Sequence, residues 1–267
     1  MDLGVRGKGY LIVGGSAGIG LAAASALAAD GAAVAIAGRN EERATRAARG
    51  LGSEHAANVV ALAGDVTVPG EAERLVGGAI AALGSLRGVA VTTGLGARGQ
   101  HDLLRATDAD WRDTFEDLLL GTVSVCRAAI PRLVEAGGGA IVTTAAYSIR
   151  APKSHQFPYA ALKASVATFT KNLAKTYGRD GVRASCVCPG ATETEILAAL
   201  RVRLAAERGW PVGEALERAL AQDWGMQVAL GRAGAPREVG DVVAFLLSER
   251  ASYLTGALVN VDGGTDF

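Results

Sequence analysis

Three side chains near the middle of the chain could move a proton. Tyr159 and Lys163 stand one helical turn apart in "FPYAALK", and Ser148 lies a short way upstream. At i and i+4 of a helix the phenol and the amine share one face, and Pro158 fits a helix N-terminus just before them. A phenol with a reference pKa of ~10 is a poor base at neutral pH, but a neighbouring ammonium favours phenolate and lowers that value. Bringing it down by about three units takes roughly 4 kcal/mol of differential interaction. Such a pair could protonate a carbonyl oxygen or deprotonate an alcohol. A tyrosine and a lysine merely decorating a helix would read the same, so the chemistry depends on what the fold places beside them.

The elements around them alternate in type. The apolar runs are "GYLIV" (9–13), "AAVAIA" (32–37), "NVVALA" (58–63), "GVAVTT" (88–93), "GGAIVTT" (138–144), "VRASCVC" (182–188) and "ALVNVDGG" (257–264). Longer helical patterns separate them, one of them around 108–136 and another carrying Tyr159. Short buried strands joined by helical crossovers predict an α/β fold, a doubly wound parallel sheet of Rossmann type. No linker, repeat or low-complexity stretch divides the chain, so residues 1–267 are expected to form a single domain. Residues 192–230 break the rhythm with two helical patterns split by Gly209, Trp210 and Pro211. With Trp224 and Met226 nearby, this stretch reads as a helical lid with an apolar underside, placed at the carboxyl edge where open α/β sheets bind ligands. A hairpin packed on the domain or on a neighbouring subunit is the plainer alternative.

A second constellation lies at the first strand. "VGGSAGIG" (13–20) follows the strand at once and opens a helix. Gly14 lets the chain turn sharply, while Gly18 and Gly20, with Ile19 between them, let the backbone approach a pyrophosphate. The helix N-terminus offers unpaired N–H groups and a positive dipole end to phosphate. Strand, glycines and helix in this order predict a dinucleotide site. At the end of the second strand the ribose-reading position is Gly38, followed by Arg39. An acidic residue there would accept from the 2′-hydroxyl of NAD; glycine and a guanidinium instead suit the 2′-phosphate of NADP, with Ser16 as a further donor. NADP(H) is the expected cofactor, and its oxidised nicotinamide would be a second cation beside Tyr159.

These motifs together resemble the short-chain dehydrogenase/reductase family over about residues 5 to 265. The resemblance rests on Gly14-xxx-Gly18-x-Gly20, Asp65–Val66, Tyr159-xxx-Lys163, Pro189–Gly190 with Thr194, and the tail "LLSERASYLTGALVNVDGG". It implies that Asp65 and Val66 hold the adenine, that Thr92 to Gly94 line the ribose, and that Thr192 and Thr194 meet the nicotinamide carboxamide. It implies that Lys163 also binds the nicotinamide ribose, and that the protein is a dimer or tetramer of identical chains. Two departures stand out. The family's Asn-Asn-Ala-Gly is "VTTG" (91–94) here, and the asparagine and serine of its catalytic tetrad fall on Leu118 and Ala146. Ser148 is the candidate to replace the missing hydroxyl donor, with Thr144 as a weaker substitute. Leu118 cannot join a proton relay, so protons are expected from the lid side.

The remaining composition excludes several classes. With 27 basic and 27 acidic residues, the chain offers no charge bias toward nucleic acid or an anionic membrane. Cys126, Cys186 and Cys188 form no CxxC and read as small buried hydrophobes, the last two expected on alternating faces of their strand. His55, His101 and His155 are scattered, so no metal site is expected. Neither a signal-peptide layout nor a membrane-length apolar run is present, which predicts a cytoplasmic protein. The leading function is an NADP(H)-dependent oxidoreductase interconverting a ketone and a secondary alcohol on a largely apolar small molecule, with His155, Gln156 and Phe157 shaping its pocket. Non-redox chemistry on the same fold (isomerisation, dehydration or cyclisation) is the alternative that Leu118 and Ala146 keep open; a third, a non-catalytic NADP-binding protein that senses redox state or serves as a subunit, is opposed by the intact Tyr159–Lys163 pair.

Overall fold

A computed structural model describes residues 2–94 and 102–265. His101 lies outside the described residues. Seven parallel strands, β1 (Gly9–Val13), β2 (Ala33–Gly38), β3 (Val59–Ala63), β4 (Gly88–Val91), β5 (Gly139–Thr144), β6 (Val182–Pro189) and β7 (Leu258–Val261), form one sheet in the order β3-β2-β1-β4-β5-β6-β7. Every strand lies where an apolar run predicts one. β1 is flanked by β2 and β4, so the strand order reverses there and leaves a crevice beyond their carboxyl ends.

Because side chains alternate along a strand, β1 feeds two cores. Leu11 and Val13 pack with Leu75, Val125 and Leu133 on one face; Tyr10 and Ile12 pack with Leu27, Val243 and Leu247 on the other. The first core lies under α3 (Glu71–Leu83), α5 (Gly121–Glu135) and α6 (Phe157–Tyr177). The second lies under α1 (Gly18–Ala29), α2 (Glu41–His55) and α9 (Pro236–Leu247). Truncating a leucine in either core would cost about 2–5 kcal/mol. α1 and α9 approach so closely that a Cβ on Gly240 would stand 2.6 Å from the Cβ of Ala22.

The long helical pattern of 108–136 is α4 (Asp108–Thr114), then one π-helical stretch over Phe115–Leu120, then α5. A capping box of Thr107 and Asp110 starts α4. Residues 192–230 hold the expected pair, α7 (Glu195–Arg208) and α8 (Val212–Gln222). Gly209 ends α7 in the left-handed region at φ +66°, a conformation suited to glycine.

One expectation is corrected. Cys186 and Cys188 lie on the same face of β6, packed together with Ala145 and Ala167, because residues two apart on a strand point the same way. All three cysteines are buried and free, as expected of small hydrophobes.

Candidate active site

The glycine turn leaves β1 at the switch point with no room for side chains. A Cβ on Gly20 would stand 2.4 Å from the Gly14 carbonyl oxygen and 2.4 Å from Thr92 Oγ1. Gly14 (φ +83°) and Gly18 (φ +53°) adopt backbone conformations that other residues rarely take. Helix α1 then begins without a side-chain cap at Ala17 and without an acidic residue in its first turn. Its leading N–H groups, those of Gly18, Ile19 and Gly20, therefore face the crevice with the dipole's positive end unopposed. That cradle fits a pyrophosphate.

The neighbouring side of the crevice is built by β2, α2 and the turn after β3. A Cβ on Gly38 would lie 2.9 Å from Ser16 Oγ, so glycine is what lets the serine hydroxyl sit there. Arg43, on the first turn of α2, donates from Nε to Ser16 Oγ at 3.2 Å. Arg39 is largely exposed, and its Nη1 stands 4.0 Å from Asp65 Oδ2. Asp65 Oδ1 accepts from the backbone N–H and the hydroxyl of Thr67, at 3.0 and 2.8 Å. Val66 is buried beside Gly121, whose Cβ would come within 2.9 Å of it. Ser16, Arg39 and Arg43 thus gather two guanidinium groups and a hydroxyl at the β2 end of the crevice. Arg43 is absent from the sequence-based site.

On the opposite side, Thr92 Oγ1 donates to the Val13 carbonyl at 2.9 Å, tying the end of β4 to β1. Gly94 follows it with open space where a Cβ would be. Thr192 Oγ1 donates to the Gly190 carbonyl at 3.2 Å. Thr194 precedes α7, and its methyl lies 2.9 Å from where a Cβ of Gly18 would be. The segment after β6 therefore closes against the glycine turn across the crevice.

Tyr159 and Lys163 project from the first turns of α6, with Pro158 at its start. Lys163 is buried; its Nζ donates to the Thr144 carbonyl at 2.7 Å and lies 5.9 Å from the Tyr159 ring centre. Burial lowers the Lys163 ammonium to about 8, partly offset by the nearby thiols of Cys186 and Cys188. The Tyr159 phenol moves the other way: burial first, and the Tyr147 phenol second, raise its pKa above the ordinary value. The lowering expected from the neighbouring amine is thus not supplied by the protein alone. A positive charge in the crevice would be needed to reverse it.

Leu118 and Ala146, on which the family's asparagine and serine are expected to fall, are both buried. Leu118 sits in the π-helical stretch with its carbonyl accepting from Thr122 Oγ1 at 2.7 Å. Ala146 ends the strand run, and Tyr147–Ile149 form a short 3-10 turn after it. That turn buries Ser148, and neither Ser148 Oγ nor Thr144 Oγ1 has a hydrogen-bond partner among the described residues. Gln156 is buried just ahead of α6 with Oε1 likewise unpaired, while His155 is half-buried and Phe157 exposed. Among the described residues there is no cluster of metal-ligating groups, and no helix is long and apolar enough to cross a membrane.

The helical hairpin is pinned over this end of the sheet by Arg201. Its guanidinium bonds Glu193 on one side, through Nε and, at 3.0 Å, through Nη2, and Glu217 on the other, at 2.7 and 2.8 Å. Below α8, Leu216 and Leu220 pack with Tyr147, Met226 and Ala233.

Known proteins share this arrangement over the whole chain. A family model described as enoyl-(acyl carrier protein) reductase matches residues 13–266. The 3-oxoacyl-(acyl-carrier-protein) reductase FabG of Chlamydia pneumoniae is 30% identical over 270 residues, covering 100% of both chains. Galactitol 2-dehydrogenase (L-tagatose-forming) of Cereibacter sphaeroides is 32% identical, over 95% of this chain and 92% of that one. The crystal structure of L-sorbose reductase from Gluconobacter frateurii, complexed with NADPH and L-sorbose, superposes with a TM-score of 0.91 at 30% identity, covering 99% of this chain and 98% of that one. With a family model matching residues 13–266 and relatives of about 30% identity matching over nearly their whole length, the chain belongs to the short-chain dehydrogenase/reductase family of oxidoreductases.

Proposed function

We propose that the protein is an NADP(H)-dependent oxidoreductase that interconverts a ketone and a secondary alcohol on a largely apolar small molecule. The observation that carries this reading is the pairing of two features on one crevice: a glycine cradle ending in Ser16, Arg39 and Arg43, and the Tyr159–Lys163 pair beside it. A 2′-phosphate suits two guanidinium groups and a hydroxyl, whereas a bare 2′-hydroxyl would want the acidic residue that Gly38 replaces. NADPH in the complex of L-sorbose reductase agrees with that choice.

When bound, the dinucleotide supplies or accepts the hydride. Tyr159 gives its proton to the carbonyl oxygen in reduction and takes it back in oxidation. Lys163, held by the Thr144 carbonyl, keeps a positive charge near that phenol and binds the nicotinamide ribose. Gly14, Gly18, Ile19 and Gly20 hold the pyrophosphate, Asp65 and Val66 the adenine, Thr92 and Gly94 the ribose, and Thr192 and Thr194 the carboxamide. Ser148 donates to the reacting oxygen after a turn of its buried side chain, the role Ala146 cannot fill. The α7–α8 hairpin is the lid that excludes water, and protons re-enter from its side because Leu118 is sealed in. A groove along α5 and α6 lined by Leu119, Val123 and Phe169 supports assembly with further copies of this chain.

Loss of NADPH absorbance with a panel of ketones tests the reading, with Tyr159→Phe expected to abolish it while retaining NADPH affinity. Product formation without that change would favour the second reading, non-redox acid–base chemistry, which the buried Leu118 and Ala146 support.

A further inference from the structure

Tyr147 stands where the lid meets the acid–base pair. It opens the 3-10 turn directly after Ala146, and its ring packs against Leu216 and Leu220 of α8. Its hydroxyl donates to Met226 Sδ at 3.2 Å. A thioether is a weak acceptor on an adaptable side chain, so this bond exchanges readily for one to an oxygen. Met226 is nevertheless placed, not incidental. Lys153 Nζ donates to the carbonyl of Gly225 at 2.8 Å, holding that backbone against the segment that carries Tyr147. The surrounding wall is otherwise built from apolar side chains such as Ala191, Leu197 and Ala233. The 3-10 turn that carries Tyr147 packs against α6, which carries Tyr159, and the Tyr147 phenol adds to the rise in the Tyr159 pKa that burial causes. A phenol set into an apolar wall near the acid–base tyrosine, and bonded to a weakly accepting sulfur, is a hydrogen-bond donor on the hairpin side of the crevice.

We propose that Tyr147 is a specificity-determining residue whose hydroxyl binds a second oxygen of the substrate, next to the carbonyl that Tyr159 protonates. The substrate class is then a ketone oxygenated beside its carbonyl on an otherwise apolar skeleton. This rests on the ketone–alcohol reading of the site. The reacting oxygen itself belongs to Tyr159 and Ser148; Tyr147, with its acceptor on the lid segment, faces the rest of the substrate. When the second oxygen enters, it replaces Met226 Sδ as the acceptor of the Tyr147 hydroxyl, and the methionine swings aside.

The test compares benzylacetone with its analogue hydroxylated on the methyl group beside the carbonyl. The wild-type enzyme should turn over the hydroxylated ketone with a kcat/KM at least about tenfold higher, the worth of one well-made buried hydrogen bond. In Tyr147→Phe that ratio should fall to about one, with NADPH affinity retained as the check on folding. Dissociation constants of the two corresponding alcohols on the NADPH-loaded protein, a pairing with no hydride acceptor, give the same comparison without turnover. They keep the inference separable from the redox reading: a protein that oxidises no NADPH but prefers the diol through Tyr147 refutes the reading alone. Equal preference in the wild type, a ratio unchanged by Tyr147→Phe, or an equal loss for both ketones overturns the inference.

Discussion

Arg43 Nε donates to Ser16 Oγ across 3.2 Å, joining the first turn of α2 to the glycine turn after β1. Among the described residues no other guanidinium bonds Ser16, and Arg39 stands 4.0 Å from Asp65. Arg43→Ala should therefore weaken NADPH binding about tenfold or more, the worth of a charge-assisted phosphate contact, and leave NADH binding within about twofold. Fluorescence titration with both dinucleotides reads this directly. Unchanged NADPH affinity would assign Arg43 to the surface and return the 2′-phosphate to Arg39.

The two arginines also show what a sequence discloses and what it hides. Gly38 and Arg39 are legible because they follow a strand end at fixed spacing, and the strand ends are set by short apolar runs that the fold reproduces. Arg43 becomes visible only once the register of α2 is fixed. Asn40 does that by accepting from the Arg43 backbone N–H at 2.8 Å, which turns the side chain of Arg43 toward Ser16. An asparagine three residues ahead of an arginine at a helix start was the available signal. Tyr159 and Lys163 were legible for the same reason as Gly38: their spacing alone defines a shared helix face. Tyr147 was not, and Ser148 was legible as a candidate but not in its direction, since the direction of a side chain in a 3-10 turn depends on what packs over it. The charge state of the pair was legible only in part, because burial of the phenol is a property of the assembled fold and outweighs the lone amine.

Ser148 combines two liabilities that separate function from packing. Its hydroxyl is buried without a hydrogen-bond partner among the described residues, and an unpaired buried polar group costs about 1–3 kcal/mol. Ser148→Ala should thus raise the melting temperature slightly or leave it alone, while cutting kcat at least about tenfold if the substrate supplies the missing partner. A stabilised enzyme with undiminished kcat would return this serine to the loop.

Lys163 makes a prediction about pH with a defined sign. Burial holds its pKa near about 8 in the folded protein, whereas an unfolded lysine titrates near ~10.4. Below the folded value both states carry the proton, and the cost of burying the ammonium is fully present. Between the two values the unfolded state holds a proton that the folded state has released, so stability rises with pH across that window. Removing the amine in Lys163→Met removes this dependence. The difference in unfolding free energy, wild type minus variant, should therefore climb from about pH 8 toward pH 10 in urea titrations of the cofactor-free proteins. A flat or falling difference would show that the ammonium is not held in a desolvated site.

Arg201 is the residue on which the lid hypothesis can be tried without touching the chemistry. Its guanidinium is mostly buried, and it bonds Glu193 between Thr192 and Thr194 as well as Glu217 on α8. The two carboxylates are thereby held on either side of one cation, and Glu217 is kept below the usual carboxylate range mainly by that hydrogen bond. Replacing Arg201 by Met would leave both glutamates facing each other without a counter-charge. The expected loss is about 1–3 kcal/mol, less than for a fully dry pair because both carboxylates retain some solvent. A lid loosened in this way should raise the KM for the ketone about tenfold or more and lower kcat less, since Tyr159 and Lys163 stand on α6, outside the hairpin. Adding Glu217→Gln removes one of the opposed charges and should recover part of the stability but little of the KM, because the strap is still missing. If KM stays at the wild-type value while stability falls, the hairpin is a packed appendage and substrate is enclosed by something else.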